Sequence, residues 1–248
     1  MPSALQSRAT AAELMDDFSS GGDELREALR QLRLLNRLYA AAAPTLHGVK
    51  RLWRAAGRPE QLSVLDIGAG SGDVNRRLLK WADANGVKLT ITLVDVTEEA
   101  CAEARQLFRN ESRVQVRQGD LFALPRESAD MITGTQFLHH FSEDELPSVV
   151  ASMMNAAKLG VVINDIHRHW LAWTAVWLTT HILSSNRYIR HDGPLSVAKG
   201  FQAKDWKRLR NTLALREFYY SWRPLFRYAV VIGKPILKPI DGVEQNGI

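Results

Sequence analysis

The residues best suited to chemistry stand in one stretch, Ser63 to Asp73, which reads SVLDIGAGSGD. An apolar run with Val64, Leu65 and Ile67 leads into glycines at alternate positions, Gly68, Gly70 and Gly72, with Ala69 between the first two. This reads as a buried strand entering a tight turn. Glycine serves where the backbone takes positive φ or approaches a ligand with no Cβ in the way. Asp66, at the end of the strand, falls at the carboxyl edge of a parallel sheet, where open α/β folds bind ligands. A dinucleotide fingerprint, G-x-G-x-x-G counted from Gly68, puts its third glycine on Asp73, so that ligand is not indicated. An acidic residue recurs at Asp95, at the end of the apolar run LTITLVD. A carboxylate there accepts both hydroxyls of a ribose, so the two features suit a nucleoside without a pyrophosphate.

With Asp66, Gly68, Gly70, Gly72, Asp95 and the Gly119-Asp120 pair of RQGDLFALP at these intervals, the chain resembles the class I S-adenosylmethionine-dependent methyltransferases over residues 60–165. The resemblance implies a Rossmann-like doubly wound α/β fold with a seven-stranded sheet. It also implies that the glycine loop, with Ala69, passes under the methionine part of the cofactor, and that Asp95 and Val96 meet the ribose. Asp120 and Leu121 would face the adenine. Helices before the first strand close over the cofactor in that family, and Tyr39 in NRLYAAAAP stands where a tyrosine reaches the methionine end.

The next informative places are the ends of the fourth and fifth strands. GTQFLHHFSEDEL follows strand four, and Gly134, Thr135 and Gln136 there face the crevice at the methionine carboxylate and sulfonium. Methyl transfer from a sulfonium is an in-line displacement, so the protein must align two atoms and, for a phenol, remove a proton. His167 in NDIHRHW is the first choice of base, followed by His139 and His140, with Asp165 as the residue that orients it. No His, Cys or carboxylate set shows clear metal-ligand spacing, so no metal is expected.

The elements that must position these groups follow from periodicity. Residues 1–22 read as a loose leader. A helix from Asp23 carries Leu25, Leu29, Leu32 and Leu35 on one face, with Arg26, Arg30, Arg33 and Arg37 beside it as a solvated stripe. Pro44 ends that pattern and Thr45 caps a second helix over 46–56. Strands are expected at 88–94, 114–117, 129–133 and 159–164, alternating with helices at 74–85 and 98–108. REFYYSW and LFRYAVVIGK read as a final hairpin, and the last fifteen residues as loose. Residues 1–58 would thus be leader and covering helices, and 59–248 the methyltransferase domain, with a cap inserted over 166–200.

Within that cap, HWLAWTAVWLTTHILSS is apolar but too short to span a bilayer. Trp170, Trp173 and Trp177 at helical spacing suggest a lid that stacks on an aromatic substrate, with a dimer surface, a membrane contact or a plain core helix as alternatives. NRYIRHDGPLS reads as a polar loop whose Arg190 and His191 contact the acceptor.

Composition narrows the partners. The 248 residues carry a net charge of +5 and one cysteine, Cys101, which excludes an internal disulfide. The amino terminus lacks the pattern of a signal peptide, so a cytoplasmic protein is expected. The predicted activity is methyl transfer to a small aromatic metabolite of phenol or quinone type, by O-methylation, with C-methylation second. A noncatalytic cofactor-binding protein is the alternative of another class. No nucleic acid is expected, because GTQF stands where amino-group methylases of nucleic acids carry Asn-Pro-Pro-Tyr. The chain is expected to be a monomer or homodimer.

Overall fold

In the computed structural model, which describes residues 5–17 and 21–234, seven strands form one sheet in the order β3-β2-β1-β4-β5-β7-β6. The strands are β1 (Gln61–Ile67), β2 (Lys88–Asp95), β3 (Val114–Gln118), β4 (Ala129–Thr135), β5 (Ala157–Ile166), β6 (Phe218–Arg223) and β7 (Arg227–Gly233). The first five are parallel, and β7 enters antiparallel between β5 and β6. The order reverses between β1 and β4, which opens a crevice at their carboxyl ends. This is the expected Rossmann-like sheet, terminal hairpin included.

The central strands read as near-continuous apolar runs because helices cover both faces. Val161, Val162 and Ile163 of β5 are fully buried, as are Val230 and Ile232 of β7. One core cluster gathers β4, β5 and β7 against α5 (Leu146–Ala156) and α8 (Ala203–Thr212). The other gathers β1, β2 and Val162 of β5 against α2 (Ala42–Ala55) and α3 (Arg76–Asn85).

Gly72 shows why the loop after β1 needs glycine. Its φ is +69°, and a Cβ there would overlap the Leu93 side chain of β2. Gly72→Ala therefore combines a left-handed alanine, costing about 1–2 kcal/mol, with overpacking of about 1–3 kcal/mol. Chemical denaturation should show a loss of about 2–5 kcal/mol, and an unchanged midpoint would contradict the placement.

Three local readings are corrected. Pro44 does not end a helix: it lies in the first turn of α2, where a missing N–H costs nothing. Thr45 is not a cap; its hydroxyl meets Thr135 Oγ1 at 2.8 Å and accepts from Asn164 Nδ2 at 2.9 Å, tying α2 to β4 and β5. The 186–196 segment is no loop but most of α7 (Arg187–Lys199), started by the Asn186 side chain accepting from Tyr188 N.

The leader is not loose over residues 5–17. Leu5 is buried, and the Arg8 guanidinium donates to the carbonyls of Lys199, His139 and Phe141. Asp192 of α7 accepts from Leu14 N and Met15 N at 2.8 and 3.0 Å, so its carboxylate caps the short 3-10 turn Leu14–Asp16. On α1 (Asp23–Leu38), Arg30 and Arg33 do not form a free stripe; both pair with Glu103 of α4 (Glu98–Leu107), which is nearly buried. The cap itself is two packed helices, α6 (Trp170–Leu183) and α7. Among the described residues, no helix is long and apolar enough to cross a membrane.

Candidate active site

Two adjoining cavities lie over the carboxyl edge of the sheet. The larger, about 530 Å³, is floored by the glycine loop and bordered by Asp95, Val96, Gly119, Asp120 and Leu121. Gly70 has φ +55°, and nothing lies within 4 Å of where its Cβ would stand, so the loop presents bare backbone there. The Gly70 N–H donates to Asp95 Oδ2 at 2.8 Å, and Thr97 donates to Asp95 Oδ1 through its N–H and hydroxyl. Asp95 is thus held rigidly at the rim, and a carboxylate has lone pairs left for ribose hydroxyls. Open backbone, a fixed acceptor and the Asp120 loop suit an adenosine derivative.

Of the residues expected here, Gly68, Ala69, Gly70, Asp95, Val96, Gly119, Asp120, Leu121 and Thr135 line this cavity. Asp66, Gly72 and Gly134 do not. Asp66 sits one layer deeper, fully buried, accepting from Asn75 Nδ2 and Thr133 Oγ1 at 2.6 Å each. It therefore ties β1, β4 and the turn after the loop together and does not line the cavity. Gly134 lies under Phe137 and Met153. Tyr39 also misses the larger cavity: it lines the smaller one, and its hydroxyl meets Thr179 Oγ1 of α6 at 2.8 Å.

Burial raises the Asp66 pKa to about 6 against the opposing hydrogen bonds from Thr133 and Asn75. In the native state Asp66 keeps its proton up to that pH, whereas unfolded it loses it near 4, so the native form binds more protons between the two values. Stability then falls as pH rises from 4 to 6, by up to about 3 kcal/mol. Asp66→Asn should flatten that part of the pH–stability curve, measured by urea unfolding; the same slope in both proteins would contradict it.

The smaller cavity, about 240 Å³, is mostly apolar and enclosed by α1, α6, α7 and the β6–β7 turn. It shares Met15, Leu32, Asn36, Gln136 and His140 with the larger one, so the two meet at these residues. Gln136, just past β4, holds φ +55°, a conformation that costs a non-glycine residue energy and recurs at functional sites. Its side chain donates to Asn36 Oδ1 at 2.9 Å, and Asn36 Nδ2 donates to Asp73. The junction is therefore a fixed chain of amides.

One end of the smaller cavity is polar. His139 is buried there with its Nδ1 2.7 Å from Asp165 Oδ1, while Asp165 also accepts from His139 N and Ile166 N. Burial raises the Asp165 pKa, but His139, through its charge when protonated and through its hydrogen bond, outweighs burial and holds the carboxylate below its usual range. An ionised Asp165 fixes the proton on His139 Nδ1 and leaves Nε2 as the acceptor. That Nε2 lies 3.6 Å from Glu13 Oε1, beyond hydrogen-bonding distance. His140 Nδ1 stands 2.8 Å from Asp16 Oδ1 and 3.8 Å from Glu13 Oε2. Burial lowers the His140 pKa, yet these carboxylates prevail and raise it overall.

The ligand-type atoms of Glu13, His139 and His140 all lie within 4.8 Å of one another, a grouping that the spacing of the sequence did not indicate. Lys199 Nζ stands 3.5 Å from both Glu13 and Asp16 and supplies positive charge at the same place.

The structure thus brings His139, His140 and Asp165 together and removes His167 from the group. Ile166 faces the smaller cavity, so its neighbour His167 points to the opposite side of the strand. There it accepts from Trp222 Nε1 at 3.2 Å and packs on Phe226 and Tyr228. Burial, with His169 and Arg168 adding, pushes its pKa down to about 4. Trp170, Trp173 and Trp177 do not line the cavity either: Ala172, Ala175 and Val176 supply the inner side of α6. Arg190 donates to the Ser184 and His181 carbonyls at the end of α6, and His191 pairs with Asp192 from outside the cavity wall. Glu13, Met15 and Asn36 are the site residues missed from sequence; only the polar pair E-x-x-D at 13–16 hinted at an ordered turn.

Residues 64–160 match the family model described as methyltransferase domain. No curated protein is similar in sequence at a significant level. Among solved structures, a SAM-dependent methyltransferase from Aquifex aeolicus superposes with a TM-score of 0.59 at 17% identity, covering 86% of this chain and 99% of that one. Human N-acetylserotonin methyltransferase gives 0.60 at 14% identity, over 90% of this chain and 63% of that one. The CurJ carbon methyltransferase gives 0.52 at 12% identity, over 70% of this chain and 48% of that one. These likenesses establish the shared fold. Residues 64–160, which hold the glycine loop, Asp95 and Asp120, thus match a methyltransferase domain, and the fold around them is one that S-adenosylmethionine-dependent methyltransferases share.

Proposed function

We propose that the protein methylates a hydroxyl group of a small, largely apolar aromatic acceptor, and that His139 with Asp165 is the base. The observation that carries this reading is the His139–Asp165 contact at the wall of a mostly apolar cavity that adjoins the glycine-loop cavity. A base oriented by a buried carboxylate is what a phenol needs at neutral pH, where most of it is still protonated.

The residues divide the work. Gly68, Gly70, Asp95 and Asp120 hold S-adenosylmethionine in the larger cavity, which supplies an activated methyl group when bound. Asn36 and Gln136 fix the border where the two ligands meet. Met15, Leu32, Leu35, Ile166 and Val176 exclude water and position the ring. His139 Nε2 takes the hydroxyl proton, and Asp165 stabilises the imidazolium that results. His140, between Asp16 and Glu13, stands at the shared border.

Incubation with S-adenosylmethionine carrying a deuterated methyl group and a panel of alkyl-substituted phenols and hydroquinones should yield labelled methyl ethers, located by mass spectrometry and NMR. Label on ring carbon would replace this reading with C-methylation. Cofactor binding without label on any acceptor would favour the noncatalytic alternative.

A further inference from the structure

α6 is a surface helix without a surface sequence. WLAWTAVWLTTHIL contains no Asp, Glu, Lys or Arg, yet Ile182 is 69% exposed, Leu178 50%, Trp170 and Leu171 45% and Trp177 42%. At 3.6 residues per turn, these residues with Thr174, Ala175 and His181 span an outward arc of about 160°, along an axis of about 21 Å. The opposite side, Ala172, Val176 and Thr180, packs on α7 or faces the smaller cavity. A helix apolar all round is normally buried.

The exposed apolar surface continues on both sides of α6. Phe226 stacks on His169, which stacks on Trp170, so the β6–β7 hairpin adjoins the start of the helix and adds exposed Leu225 of the turn and Trp222 of β6. On the other side the Tyr39–Thr179 contact brings up the end of α1 with exposed Leu34 and Leu38. Leu225 and Ala175 are exposed and also line the acceptor cavity, so the cavity opens within this surface.

We infer that this face, centred on Trp170, Trp177, Leu178 and Ile182, docks on the headgroup–acyl boundary of a lipid bilayer, from which a lipophilic acceptor reaches the cavity directly. Indoles with one apolar body and one N–H favour that boundary. The basic balance of +5 complements anionic lipid; past the end of α6, Arg190 keeps its charge while bonded to the Ser184 and His181 carbonyls, and Arg187 is paired with Glu24. The helix is long enough to lie in the interface and too short to cross it. Docking does not depend on the methyl-transfer reading; only the choice of a lipophilic acceptor rests on it.

The test is sedimentation of the full chain with vesicles of phosphatidylcholine, with and without phosphatidylglycerol, at low and high salt. The wild type should pellet with vesicles and remain partly bound at high salt, most strongly with phosphatidylglycerol present. Trp177→Ser/Leu178→Ser/Ile182→Ser should lower the bound fraction at least tenfold, with thermal midpoint and cofactor affinity unchanged. Should that variant lose its fold, Leu34→Ser/Leu38→Ser on α1 should reduce binding in the same direction. A wild type that stays in the supernatant, or folded variants that pellet equally, would overturn the inference. So would a vesicle-indifferent dimer that the triple variant converts to monomer in analytical ultracentrifugation, since the face would then belong to a second copy. Loss of methylation with vesicle binding intact would instead count against the proposed reaction alone.

Discussion

His139→Ala is expected to lower kcat for a phenolic acceptor by about 10²–10⁴-fold, the usual contribution of a positioned acid–base group. Cofactor affinity should stay within about threefold, because His139 does not line the glycine-loop cavity. Asp165→Asn should do nearly as much damage. An amide in place of the carboxylate no longer demands Nδ1–H, and its NH₂ can donate to Nδ1, turning an N–H toward the acceptor where a lone pair is needed. The two effects should be far from additive, since both remove the same proton transfer. Acceptors with more acidic hydroxyls should lose least, because they arrive partly ionised. Single-turnover rates across a series of substituted phenols give the measurement. A uniform loss independent of acceptor acidity would mean that His139 and Asp165 only shape the cavity.

Asp95→Ala is the second large effect. The carboxylate stands at the cavity rim with Gly70 N and Thr97 as partners, so the ribose hydroxyls would find a carboxylate acceptor. Hydrogen bonds to charged groups contribute about 1.5–3 kcal/mol each. Losing two weakens S-adenosylhomocysteine by at least about 100-fold, and the variant also frees the glycine loop. Asp95→Asn separates the two parts: it can still accept from Gly70 N, so it should recover loop order in hydrogen exchange but only part of the affinity. Equal affinities for wild type and both variants would remove Asp95 from the site.

How much of this was legible in the sequence depended on which physical signal each residue carries. The glycine loop and Asp95 announce themselves because local spacing alone determines backbone shape and strand-end position. The parallel strands were legible for the same reason, as short branched runs between turn signals. Tertiary facing was not. His167 and Ile166 differ by one strand position, and only packing against β7 decides which of them meets the cavity. α6 offered three tryptophans but no polar face, so helical periodicity could not say which side turns inward; Trp170 and Trp177 proved to be exposed and Trp173 half-buried against Ile166, Ala172 and Val197, none of them lining the cavity. Glu13 and Arg8 lie in a polar leader with no apolar period. Their order comes from partners more than a hundred residues away, Asp192, His139 and Lys199, which no local pattern encodes. Asp66 was expected at the ligand and lies beneath it, because its position at the strand end fits either a rim or a buried brace.

The measurement that bears most directly on the account is titration calorimetry of S-adenosylhomocysteine into the folded wild type, paired with Gly70→Val. One molecule should bind per chain with micromolar or tighter affinity. The valine, placed where the loop presents bare backbone at φ +55°, should abolish binding while leaving the helical and strand signals of the fold intact. No heat from the wild type, or undiminished affinity in the variant, would contradict a cofactor held on the glycine loop.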